Sequence, residues 1–112
     1  MKKADRILSY EEFAEIRKNG TRVRSGSFLI SYRKGSTGRA RVGISVSKKN
    51  GNAVIRNLIK RQVRAAIDDC LDYSSGLDIV ITARYGYDTA KGRENAAELA
   101  AELKAIGATN IE

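Results

Sequence analysis

A run of cations with no acid among them is the feature of this sequence best suited to binding chemistry. From Lys48 to Arg64, seventeen residues hold six lysines and arginines and no aspartate or glutamate. At about 100° per residue, a helix through this segment collects its polar side chains into an arc of roughly 140°. The members of this arc are Arg56, Asn57, Lys60, Arg61 and Arg64.

The opposite side of the same helix is apolar, and we expect it to pack into a core. Its members are Ile55, Leu58, Ile59, Val63, Ala66 and Cys70. Solvated helix faces usually mix the signs of their charges, because Glu and Lys at i,i+4 support a helix whereas like charges repel. A solvated face is the plain alternative, but the absence of acids favours an anionic partner, with nucleic acid the first candidate.

The charge of the whole chain supports the same interpretation. The net charge is +8, and residues 1–64 hold 17 basic and 4 acidic residues, a net charge of +13, whereas residues 65–112 carry −5. A polyanion would therefore lie against the first two thirds of the chain. Its binding would depend strongly on salt concentration.

Other function classes are disfavoured by composition. One cysteine and no histidine exclude disulfide frameworks, Cys/His zinc sites, and Ser/His or Cys/His catalytic pairs. Asp68, Asp69 and Asp72 could be paired carboxylates, but a solvated acidic helix end is the preferred interpretation, so we assign neither a catalytic residue nor a metal site. No segment resembles a membrane span or a secretory signal. We expect a single cytoplasmic domain over residues 1–112.

Hydrophobic periodicity predicts the elements that position this helix. They are a helix over 9–18, strands within 21–34 and over 41–47, a helix over 53–72, a central strand over 77–83 and a helix over 90–106. We expect the first two strand segments to form a hairpin. The helix between the strands at 41–47 and 77–83 indicates a βαβ crossover with parallel neighbours, and hence an α+β sandwich with its helices mainly on one side.

Residues 41–67, RVGISVSKKNGNAVIRNLIKRQVRAAI, resemble the signature segment of the protein subunit of bacterial ribonuclease P, which runs from a strand through a KK-x-GNA loop into an RNR-containing helix. Phe13, Ile16 and Gly20, the strand at 28–32 and DIVITAR at 78–84 match in order and spacing. The resemblance implies a ribosomal protein S5 domain 2-like fold, a two-layer α/β sandwich with a mixed four-stranded sheet. It also implies a left-handed crossover, against the general right-handed rule.

The resemblance implies a subunit of an RNA enzyme. In that family the catalytic RNA, with bound Mg²⁺, removes the 5′ leader of precursor tRNA, and the protein helps to hold both RNAs without cleaving alone. Its partners would be ribonuclease P RNA and precursor tRNA, with no membrane. The alternative is a general RNA-binding module, such as a ribosomal or ribosome-assembly protein.

Two sets of site residues follow from the resemblance. The third position of the RNR pattern is Leu58 here. Its lack of charge should weaken the contact with ribozyme RNA without removing the basic face of the helix. The resemblance implies a cleft between the first helix and the sheet, where aromatic side chains accommodate the single-stranded leader. The strand aromatic of this cleft falls on Tyr32 here, although some relatives carry it at the position of Ser31. Phe13 and Tyr32 could equally be core residues. Arg84 could line the cleft or cap a loop. For ribozyme RNA the residues are Lys48, Lys49, Asn52, Arg56, Asn57, Lys60, Arg61 and Arg64, and for the leader Phe13, Arg17, Tyr32 and Arg84.

Overall fold

The computed structural model describes residues 1–110, and within them three helices flank a mixed four-stranded sheet. The helices are α1 (Tyr10–Asn19), α2 (Ala53–Cys70) and α3 (Gly92–Ala105). The strands are β1 (Thr21–Arg24), β2 (Phe28–Lys34), β3 (Arg41–Val46) and β4 (Leu77–Ala83). The predicted elements are confirmed, with small shifts at their ends.

The strand order of the sheet is β1-β2-β4-β3, with β4 antiparallel to β2 and parallel to β3. The central position of β4 and the parallel β3–α2–β4 crossover are confirmed, whereas its hand stays a prediction. The predicted hairpin between β2 and β3 is wrong, because β4 lies between them and β2 forms its hairpin with β1. The reason is that β4 is buried on both faces, so its backbone needs hydrogen-bonding partners along both edges.

The two faces of the sheet carry unequal cores, because successive side chains of a strand point to opposite faces. Ile79 and Ile81 join the larger core, to which α2 and α3 contribute Ile59, Val63, Ile67, Leu99 and Leu103. Val80 faces the other way and packs with Ile7 and Ile16 beneath α1. Two helices therefore cover one face, as expected, and α1 is a smaller cover on the other.

Ion pairs fasten α1 to the sheet near the outer strand β3. The Arg41 guanidinium donates to the buried Asp78 carboxylate at 3.1 and 2.9 Å, and to Glu12 of α1 at 2.6 Å. The hydrogen bonds that Arg41 donates to Asp78, and secondly to Glu12, raise the pKa of Arg41 above its ordinary value. The predicted cap is also present, since the Ser9 hydroxyl accepts the Glu12 N–H at 3.3 Å. These contacts fix the position of α1 relative to β3.

Candidate nucleic-acid interface

The basic segment begins in the bend that joins β3 to α2. Lys48 and Lys49 lie in a short 3₁₀ turn and are exposed. Gly51 follows with φ 133°, as predicted, a conformation that a residue with a side chain rarely adopts. Asn52 then caps α2, its side-chain oxygen accepting the Ile55 N–H at 3.1 Å. The side-chain oxygen of Asn52 is therefore used in capping the helix. The cations that this bend exposes are Lys48 and Lys49.

Along α2 the predicted polar arc is exposed or half-exposed. We call it the α2 basic face: Arg56, Asn57, Lys60, Arg61 and Arg64. Within residues 1–110, the arginines and lysines that form ion pairs are Arg33, Arg39 and Arg41, none of them on this face. The cations of the α2 basic face are therefore available to an external anion.

The direction of α2 adds to this positive field. A helix carries partial positive charge at its N-terminus, where acidic side chains are stabilising and basic ones are not. The first turn of α2 holds no acid, and its cations precede Asp68 and Asp69, which lie near the other end. This order opposes the helix dipole. An anion bound along the first part of α2 would relieve the resulting repulsion.

A groove lies along the outer edge of β3, between α1 and α2. Two adjoining cavities of about 360 and 230 Å³ share four lining residues. We call the continuous depression the β3 groove; the shared residues are Leu8, Phe13, Ile44 and Lys60. Arg17, Ser45 and Tyr10 line the larger cavity, and Arg6 and Arg64 the smaller one. The groove therefore combines apolar surface with cations from α1, the N-terminal segment and α2.

Phe13 lies in the β3 groove because β3 has no side chain beneath its ring. The ring is half-buried against the small core of α1, directly over Gly43. A Cβ atom added at Gly43 would come within 2.7 Å of the Phe13 Cε2 atom. Phe13 also lines both cavities of the β3 groove, so it serves both as a core residue and as a partly accessible aromatic surface.

Arg17 also lines the β3 groove, and its guanidinium is anchored. Its Nη2 atom donates to the hydroxyls of Ser45 at 2.9 Å and Thr82 at 2.8 Å. Hydroxyls hold the guanidinium in place without neutralising its charge. Arg17 is therefore a positioned cation one helical turn from Phe13.

Tyr32 and Arg84 are not among the residues that line the two cavities of the β3 groove. Tyr32 points to the α2–α3 face, where it packs partly buried against the larger core, because it shares the side of β2 with Phe28 and Ile30. Ser31 lies on the opposite side of β2, which faces α1, as does Arg33, whose guanidinium pairs with Glu15 of α1. The Arg84 guanidinium donates to the Ser25 carbonyl at 2.8 Å and so holds the turn between β1 and β2. The assignment of Tyr32 and Arg84 to leader binding stays a prediction, and the positions of the two side chains fit the alternatives of a core residue and a loop contact.

The apolar side of α2 also differs from prediction at its first turns. Ile59, Val63 and Cys70 are buried, but Ile55 and Leu58 keep 41% and 38% of their surface exposed. The start of α2 extends past the core, which explains the difference. Leu8 and Tyr10 are groove residues that sequence reasoning missed; their positions beside the Ser9 cap carry no periodic signal.

The acidic end of α2 is engaged in local contacts. Asp68 lies 3.0 Å from the Met1 ammonium, and the Asp72 carboxylate accepts from the Ser74 hydroxyl and N–H. These hydrogen bonds lower the pKa of Asp72. Over residues 1–110, no three or more potential metal-ligating side chains gather in one place.

Comparison with known proteins decides the family. The Ribonuclease P family model matches residues 1–107. A ribonuclease P protein component of Streptococcus agalactiae is 41% identical over 88 residues, 79% of this chain and 81% of that protein. One from Bacillus cereus is 44% identical over 86 residues, 75% of each. The chain belongs to the ribonuclease P protein family.

Solved structures of the family share this fold. The ribonuclease P protein of Staphylococcus aureus superposes with a TM-score of 0.72 at 33% identity, covering 91% of this chain and 96% of that one. That of Thermotoga maritima gives 0.70 at 28%, covering 87% and 96%. The sequence resemblance is thereby confirmed. As a member of this family, the chain acts as the protein part of the endoribonuclease holoenzyme of tRNA 5′ maturation. Across the described residues, no helix has the length and apolar character of a membrane span.

Proposed function

We propose that this ribonuclease P protein divides its RNA contacts between two adjoining surfaces of a single domain, residues 1–112. The α2 basic face, with Lys48 and Lys49, binds the ribozyme RNA. The β3 groove receives the 5′ leader of precursor tRNA. The observation that carries the proposal is that a row of cations without ion-pair partners in residues 1–110 borders a groove with an accessible aromatic ring.

The shape and chemistry of the β3 groove support single-stranded RNA as its occupant. Proteins that bind single strands combine aromatic rings, on which bases stack whatever their sequence, with cations along the backbone. Phe13 supplies the ring, and Arg17 and Lys60 supply cations within the same cavity. A leader of varied sequence is suited to such a site.

The α2 basic face suits a folded RNA. Arginines can hold a phosphate through two parallel hydrogen bonds, whereas lysines act as point charges. The Nε atoms of Arg56 and Arg64 are enclosed yet have no hydrogen-bond partner within residues 1–110. Lys60 and Arg64 also line the β3 groove, so they lie at the border between the two surfaces. At that border, ribozyme and leader would lie side by side.

We assign the Mg²⁺ of the holoenzyme mainly to the RNA subunit. The carboxylates of the described chain do not fit a metal site, because Asp68 and Asp72 are occupied by local contacts and no ligand cluster forms in residues 1–110. The protein would lower the Mg²⁺ requirement by supplying cations that stabilise the folded RNA and its substrate. We place this activity in the cytoplasm, where bacterial tRNA is transcribed.

Reconstitution tests the proposal. The chain is combined with a bacterial ribonuclease P RNA at low Mg²⁺, and removal of the leader from precursor tRNA is followed. We expect cleavage by the complex at Mg²⁺ concentrations where the RNA alone is slow, and none by the protein alone. No gain in cleavage would refute the assignment.

Substrate preference separates the leader site from general RNA binding. With ribozyme present, we expect precursor tRNA to bind more tightly than mature tRNA. Equal affinities would indicate a non-specific RNA-binding module.

A further inference from the structure

The start of α2 carries an apolar patch that the core does not use. Val54, Ile55 and Leu58 keep 76%, 41% and 38% of their surface exposed. Val54 and Leu58 are four residues apart and Ile55 and Leu58 three, so these side chains are neighbours on the helix surface. None of the six residues from Ala53 to Leu58 is buried, and Ile59 is the first that is. We call Val54, Ile55 and Leu58 the α2 apolar patch.

Burial in the core does not explain the exposed surface of the α2 apolar patch. None of the three belongs to the buried core, although Ile55 lies beside the Gly51 bend. Helix propensity does not favour Val54 or Ile55 either, because β-branched residues lose side-chain freedom in a helix. Single exposed apolar residues are ordinary, but a contiguous group beside a binding surface indicates a contact with a partner.

The surroundings of the patch indicate the chemistry of that partner. Lys48 and Lys49 precede it, Arg56 and Arg61 lie within and after it, and no acid occurs between residues 48 and 64. The positive end of the α2 dipole adds to the same field. The partner must therefore combine negative charge with an apolar surface small enough for three side chains. A nucleobase that has left its stack, between two phosphates, has both properties.

We propose that the α2 apolar patch holds the face of an unstacked nucleobase of the ribozyme RNA, while the neighbouring cations hold the flanking phosphates. This inference rests on the proposed role of the α2 basic face. It also assigns a binding function to Leu58, which stands where the family pattern has a third basic residue. Contact with a base face is insensitive to salt, unlike phosphate contacts, and this difference makes the proposal testable.

The test measures affinity for ribonuclease P RNA across a series of salt concentrations. For Val54→Ala and Leu58→Ala we expect roughly three- to tenfold weaker binding from the lost apolar contact. The slope of log K against log salt should stay that of the wild type. Both variants should fold normally, because alanine favours helix and the replaced side chains are exposed. Unchanged affinity, or a reduced salt slope, would overturn the proposal.

Arg61→Ala is the matched control on the same helix. It separates failure of the nucleobase contact from failure of RNA binding by α2. If Arg61→Ala lowers the salt slope while Val54→Ala has no effect, the nucleobase contact is wrong but the RNA face stands. If Arg61→Ala changes neither affinity nor slope, the proposed role of α2 fails as well. Leu58→Lys sharpens the test: a purely electrostatic face predicts tighter binding and a steeper slope, whereas a base contact predicts weaker binding at high salt.

Two other occupants of the patch are tested directly. Sedimentation of the free protein reveals self-association, and co-sedimentation with phosphatidylglycerol vesicles reveals membrane binding. The proposal would be overturned if Val54→Ala abolished self-association or vesicle binding while RNA affinity stayed unchanged. Wild-type protein that stays monomeric and off the vesicles, together with weaker RNA binding by the variant, would support it.

Discussion

A methyl group added at Gly43 should displace the aromatic ring that we assign to the leader. In Gly43→Ala the new Cβ would lie 2.7 Å from Phe13 Cε2 and 3.0 Å from Cε1. Carbon atoms pack at about 3.5–4.0 Å, so the ring must move by roughly 1 Å or the strand must shift. Overpacking of this kind costs about 1–3 kcal/mol of folding free energy.

Losing the stacking surface should weaken the free energy of leader binding by a similar amount. Stacking of one base on an aromatic ring contributes about 1–3 kcal/mol, which corresponds to roughly 5- to 150-fold in affinity. The assay compares precursor and mature tRNA bound to the reconstituted holoenzyme, with the unfolding free energy measured on the same preparations. We expect precursor affinity to fall within that range, and affinity for mature tRNA and for the ribozyme to stay unchanged.

Two variants make this result interpretable. Gly26→Ala is the matched control, because its added Cβ would meet only the Glu98 Oε1 atom, at an ordinary 3.7 Å. Gly43→Ala combined with Phe13→Leu makes room for the methyl group, so we expect it to recover stability without recovering precursor affinity. If folded Gly43→Ala protein binds precursor tRNA as the wild type does, the Phe13 ring is not the leader contact and the groove assignment is refuted.

Three further predictions concern the other surfaces and the stability of the fold. Arg56→Ala and Arg61→Ala should each weaken ribozyme binding and lower its salt slope by about one unit or less per lost phosphate contact; an unchanged slope in the double variant would contradict the α2 basic face. Tyr32→Ala should lower the unfolding free energy, because its ring packs against the larger core, but spare precursor affinity; selective loss of that affinity would support the assignment of Tyr32 to the leader site. Asp5 accepts from the Arg39 guanidinium at 2.6 and 3.0 Å, which lowers the pKa of Asp5. Its stabilising effect is therefore present at neutral pH and lost as pH falls below about 4. Chemical denaturation should show Asp5→Asn less stable than the wild type at pH 6, with the difference shrinking at pH 3; a pH-independent difference would be inconsistent with this ion pair.

The cations of the α2 basic face could be recognised from sequence because a helix has a fixed period. Spacing alone places Arg56, Lys60 and Arg64 together, whatever the rest of the chain does. The capping residues Ser9 and Asn52 and the positive φ of Gly51 were predictable for the same reason, since each depends on a few neighbouring residues. The apolar run of β4 predicted its central position.

The pairing of strands that are distant in the chain, and the surroundings of their side chains, could not be predicted in this way. The insertion of β4 between β2 and β3 depends on which strands satisfy its two edges, and nothing in the alternation of β2 or β3 encodes their partner. For the same reason, the sequence left open whether Tyr32 and Arg84 line the leader cleft or instead contact the core and a loop. The ring of Tyr32 turned out to face the larger core, and the guanidinium of Arg84 turned out to hold a turn 58–59 residues away along the chain.

The sequence by itself determined that this protein presents an acid-free cationic helix behind a glycine bend, and its signature segment indicated the family. The tertiary structure decided that Lys60 and Arg64 border the same groove as Phe13 and Arg17, and that the start of α2 extends past the core. The physical reason is one of range. Helical phase and caps are set within a few residues, whereas a groove between two helices exists only after both have packed on one sheet.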